Sequence, residues 1–156
     1  MASLDKVNSS KEAVLLTAQT IASATTVNGN WINTLPKGEQ FQGVLFTLAT
    51  AAITNAPTTL VINVQEADLA DFSDAANVDP QFLVLPEGST LATLAASLIA
   101  ANSTCRLGYV GQKTYVRVQL TTTGSTINFA VSGMALLTDP RFAPTSPSTV
   151  VGSVGY

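Results

Sequence analysis

Without a histidine among its 156 residues, this chain lacks the commonest general base and the commonest metal ligand. Chemistry would fall to ten Asp and Glu side chains, seven Lys and Arg side chains and one thiol. Half of the acids, Glu66, Asp68, Asp71, Asp74 and Asp79, lie within fourteen positions. Oxygen ligands at Glu66, Asp68, Asp71 and Asp74 could hold Ca²⁺. The alternating Asp/Asn ligands and central glycine of an EF-hand loop are absent, however. A solvated loop that keeps an apolar chain in solution is the simpler account. Acids such as Asp68 and Asp71 could also serve glycoside hydrolysis, which needs carboxyl groups about 5 to 9 Å apart. Sequence spacing does not establish that separation, and aromatic residues for a sugar platform make up only 6%. Cys105 stands alone, which excludes an internal disulfide and a Cys-based zinc site. With no histidine to activate it, the thiol reads as a small buried or semi-buried residue ahead of a strand. No catalytic residue, metal or cofactor is assigned.

The cations are no more catalytic. Arg106, Lys113 and Arg117 could form a basic patch, but ion pairs with the acidic segment or with a partner subunit are the simpler reading. Scattered basic residues and a net charge of −3 argue against nucleic acid as a partner. Trp31, Tyr109 and Tyr115 are candidate interface anchors, because Trp, Tyr and Arg are enriched in binding hot spots. They could equally be core rings. Arg141 and Phe142, held extended between Pro140 and Pro144, and Tyr156 complete the candidate interface residues.

The elements that must position these groups read as strands. From Val116 to Leu120 apolar residues alternate with Arg117 and Gln119, and Ile127, Phe129 and Val131 alternate with Asn128, Ala130 and Ser132. Thr121-Thr-Thr-Gly124-Ser125 between them predicts an antiparallel hairpin. Residues 13 to 27 predict one strand or two short ones, closed by a turn at Asn28-Gly29-Asn30. Gln40 to Thr50 is apolar on both faces beyond Val44, as in a strand covered on both sides. Thr59 to Gln65 and Gln81 to Leu85 follow as strands. Leu91, Leu94, Leu98 and Ile99 fall at helical spacing, which predicts a short helix over a sandwich edge.

Seven or eight short strands with frequent turns predict an all-β fold, an antiparallel β-sandwich of Greek-key or jelly-roll type. It is expected over residues 13–144, with a flexible N-terminal arm at 1–12 and a C-terminal tail at 145–156. Lys6 and Lys11 ahead of Ala13-Val-Leu-Leu16 imitate a signal peptide, but Glu12, Thr17, Gln19 and Thr20 break the pattern. No run approaches the roughly 18 apolar residues of a membrane helix. Charged residues are only 11% of the chain, where about 25% is ordinary. So little charge predicts that part of the surface is buried against other subunits.

Three stretches resemble one family. Leu60-Val-Ile-Asn-Val-Gln-Glu-Ala-Asp-Leu-Ala-Asp-Phe-Ser-Asp74 is similar to its strand and acidic loop ending in Phe-x-Asp. Leu107-Gly-Tyr-Val-Gly-Gln-Lys-Thr-Tyr-Val-Arg-Val118 is similar to its Gly-Tyr-x-Gly…Tyr-Val-Arg-Val hairpin, with Thr114 where members carry Arg. Ala135-Leu-Leu-Thr-Asp-Pro-Arg-Phe-Ala-Pro144 is similar to its closing strand, with Asp139 where Gly is frequent. The family is that of small virion structural proteins of tailed bacteriophages, which includes capsid cement and decoration proteins. The resemblance spans about residues 59 to 144. It implies a non-enzymatic β-sandwich, a homotrimer on the outer capsid surface of the virion, with the major capsid protein as partner. Alternatives are a head-fibre base or tail-associated protein, a Ca²⁺-assisted carbohydrate-binding module, and a hydrolase.

Overall fold

Alternation of apolar and polar residues puts one row of each strand inward, and in the computed structural model, which describes residues 10–35 and 41–140, those rows meet across a single core. The strands are β1 (Lys11–Ile21), β2 (Thr25–Asn28), β3 (Ile32–Asn33), β4 (Phe41–Asn55), β5 (Thr59–Ala67), β6 (Ala76–Asn77), β7 (Leu83–Val84), β8 (Thr104–Tyr109), β9 (Tyr115–Thr123) and β10 (Asn128–Pro140). One sheet runs β1-β10-β4-β8-β7, and the other β2-β9-β5-β6 with β3 also on β9. Every pairing is antiparallel. The protein is an all-β sandwich, as the strand pattern predicted. The first strand begins at Lys11, inside the segment expected to be an arm, because Lys11 and Glu12 pair with Leu137 and Leu136.

The helix α1 (Leu91–Leu98) packs on β5 and β8, closing one open side between the sheets. It buries Leu94, Ala95 and Leu98, and Thr90 caps it by accepting from the Thr93 amide. Instead of one strand over Gln81–Leu85, the chain makes a 3₁₀ turn at Pro80–Phe82 and the short β7. Asp79 starts that turn by accepting from the Gln81 amide, and Pro80 fits its first position. Among the described residues, no helix is long and apolar enough to cross a membrane.

The expected hairpin is not one. β9 and β10 belong to opposite sheets, and Gly124 turns the chain between them at a φ of +145°, open to glycine and strained for other residues. Both edges of β9 are occupied, by β2 and β3 on one side and β5 on the other. Both edges of β10 are occupied too, by β1 and β4. Val116, Val118 and Leu120 therefore face Phe129 and Val131 across the core. Alternation identifies which row is buried but is silent on which sheet receives it. The same correction applies to Tyr109–Tyr115, where β8 and β9 also lie in different sheets.

Tyr109 ties the two sheets together. Its ring is 1% exposed, and its hydroxyl donates to Glu66 Oε2 at 2.6 Å, from β8 in one sheet to β5 in the other. Burial, then the bond to Glu66, pushes the phenol well above its ordinary pKa. Gly111 lies over this ring, and a Cβ there would run into the phenol. The Gly-Tyr-x-Gly stretch thus has a packing reason. Gly111→Ala is expected to force Tyr109 from its site and destabilise the fold by about 1–3 kcal/mol. Urea unfolding of the variant measures this, and an unchanged midpoint would remove the Tyr109 contact from the account.

Candidate interaction surfaces

The inward rows leave two outer faces of opposite character. On the first sheet the outer row of β10 carries Ser132, Met134 and Leu136, and that of β4 carries Leu45, Thr47 and Ala49. Val14 of β1 pairs with Met134, which pairs in turn with Thr47, and Thr47 pairs with Arg106 of β8. Together these residues line an open groove of about 690 Å³ with an apolar floor. Val14 is 56% and Met134 51% exposed, side by side. Glu12 stands at one rim and Arg106 at the other. β4 is thus apolar on both faces, as read from sequence, but among the described residues nothing covers its outer one.

The second sheet is mostly polar outside, with Val61 an exposed apolar residue on it. Thr59 and Thr123 share a hydrogen bond of 2.6 Å, Thr26 and Thr121 one of 3.1 Å, and Gln119 donates to Asn28 at 2.8 Å. Such side-chain ladders stabilise a face that has few charges to offer. Toward one end of this face sits an aromatic and cationic cluster. Trp31 stacks on Phe72 with centroids 4.6 Å apart, and Phe72 meets Tyr115 edge-on at 5.2 Å. The Arg117 guanidinium lies 4.4 Å from the Trp31 ring centre. Phe72 is held at a φ of +57° within the acidic loop, where its neighbours Asp71 and Ser73 form a local turn.

Of the candidate residues, the structure brings Trp31 and Tyr115 together, half-buried, in this cluster. Tyr109 is a core ring and not a surface anchor, since the ring is buried and its hydroxyl donates to the half-buried Glu66. Arg141, Phe142 and Tyr156 lie outside the described residues. The three cations do not form a patch. Arg106 and Arg117 point from the outer faces of different sheets. Lys113 pairs with Asp68 at 2.6 Å, the ion pair foreseen for it. Sequence reading missed Phe72, whose signal was a lone aromatic among acids, and missed the exposed pair Val14 and Met134.

Carboxylates of the acidic loop are spent on the loop and on the segment at Lys113 and Thr114. Asp74 accepts from the amides of Asp68 at 2.8 Å and Leu69 at 3.2 Å. Asp71 accepts from the Ser73 amide and hydroxyl. Asp68 takes Lys113 and the Thr114 amide. Among the described residues, no three acidic or cysteine side chains are placed to hold a metal ion. The Cys105 thiol is buried, and burial pushes its pKa up to about 11, away from the reactive thiolate.

Compared with known proteins, the chain matches no family model and has no significant match among curated proteins. The phage resemblance therefore rests on the three quoted stretches.

These hydrogen bonds hold the carboxyls below their ordinary value of 3.8: Lys113 at Asp68, the Ser73 amide at Asp71 and the Asp68 amide at Asp74. A depressed folded pKa stabilises above the unfolded value and loses its effect as pH falls through the folded one. Amide exchange of Asp68 and Leu69 is thus expected to stay protected above about pH 5 and to open below 3.8. Opening between about pH 5 and 7 would contradict these partners.

Proposed function

We propose that this chain is a non-enzymatic structural subunit of a bacteriophage virion, a head cement or decoration protein. It binds the outer capsid and stabilises the shell by bridging neighbouring major capsid subunits, and it self-associates as a homotrimer. The observation that carries this reading is the open apolar face of the first sheet, with Val14, Met134, Leu45 and Leu136 turned outward in a chain of 11% charge. An exposed apolar face of this kind marks a protein contact.

Two further points support it. The resemblance over residues 59–144 implies a virion role. The strand order β1-β10-β4-β8 opposite β2-β9-β5-β6 also fits a jelly roll, an architecture that recurs in capsid and lectin domains. Fold analogy alone does not separate capsid from lectin. Sugar binding is disfavoured by the site chemistry: Trp31 is already engaged by Phe72 and Arg117, and the loop acids serve their own amides.

A face of this kind within a standard interface of roughly 1,600 Å² gives a modest contact that multivalency in a trimer turns into slow release. Quantitative mass spectrometry of purified particles is expected to find the chain at a copy number set by the capsid lattice. A few copies per particle would overturn the cement role and favour a tail or fibre position. Met134→Glu, at an exposed site, is expected to keep the fold and weaken capsid binding roughly tenfold or more. Unchanged binding would move the contact off this face.

A further inference from the structure

Arg117 is a charge that its own fold leaves half used. Its Nε and Nη2 both donate to Oε1 of Gln65, at 3.0 and 2.8 Å, which occupies the side edge of the guanidinium. The end edge, Nη1 with the second hydrogen of Nη2, carries no hydrogen bond among the described residues. Nor does any carboxylate there lie within 4.0 Å of it. Every acid near it is committed: Asp68 to Lys113, Asp74 to the amides of its loop, and Glu66 to Tyr109 on the inner side of the sheet. Gln65, a neutral acceptor, orients the fork without neutralising it. Burial is the sole influence on the guanidinium pKa, which it lowers, as expected for a cation with no anion beside it.

We propose that the free end of Arg117, steadied by Gln65 and the Trp31 ring, is a receptor for an aspartate or glutamate side chain of an acidic protein segment. Two parallel N–H donors match the two oxygens of one carboxylate, a pairing about twice as strong as a neutral hydrogen bond. Trp31 and Tyr115 supply the rigid aromatic rim found around such hot spots. Carboxylate is favoured over phosphate because only one cation is free here. Lys113 is already paired with Asp68, so a phosphate dianion would find a single guanidinium to balance its two charges. The receptor lies on the outer face of the second sheet, opposite the apolar groove, so the two sites contact different neighbours.

Trp31 is the single tryptophan, so its fluorescence reports on this site in the full chain. A capped hexaglutamate peptide titrated at low salt is expected to change the emission saturably. Arg117→Lys keeps a charge but loses the fork and is expected to bind roughly tenfold more weakly; Lys113→Gln is expected to bind as the parent does. A circular dichroism spectrum matching the parent checks the fold of both variants. The proposal is overturned if hexaglutamate gives no saturable change, or if Arg117→Lys binds as tightly as the parent. It is also overturned if pyrophosphate or a capped phosphoserine peptide binds more tightly than hexaglutamate.

Discussion

Strands joined by a short loop ordinarily pair with each other, yet here the four residues from Gly124 to Ile127 carry the chain from one sheet to the other. The rest of the architecture depends on that crossing. It lets β9 and β10 each stand inside a sheet with both edges paired, and lets their apolar rows close the core from opposite sides. The chain repeats the move from β1 to β2, β3 to β4, β4 to β5 and β8 to β9. Long-range pairing of this kind is costly in loop entropy and slow to form, and the buried core must offset it. The bond from Tyr109 to Glu66 and the helix α1 secure one side where the two sheets would otherwise part.

Once the core has taken one row of each strand, the other rows are available for contact, and the two sheets use them differently. The second sheet covers most of its outer face with paired threonines and amides, and Arg117 is the charge on it. The first sheet leaves methionine, valine and leucine outward. One face thus offers hydrophobic surface for burial and the other directional polar groups.

Much of the fold was legible because period-two alternation is a local signal. The rows Val116-Val118-Leu120 and Ile127-Phe129-Val131 are buried as read, and helical spacing at Leu91, Leu94 and Leu98 marked α1. Sheet membership was not legible, because an arch and a hairpin bury the same row. The surfaces were legible only in part. Trp31 and Tyr115 were named from residue type, but their union depends on Phe72 reaching across from the acidic loop, a contact that positive φ makes and no periodicity signals. Tyr109 looked like its fellow tyrosine, and burial with an acceptor at Glu66 separates the two. The groove at Val14 and Met134 stayed hidden because apolar residues on both faces of β4 read equally as buried twice or exposed once.

The central claim is that the outer face of the first sheet is a contact surface. Hydroxyl-radical footprinting of Met134, in the isolated protein and in assembled particles, tests it most directly. The account predicts ready oxidation in the free chain, where this side chain is half exposed, and strong protection in the particle. Equal oxidation in both states would contradict it.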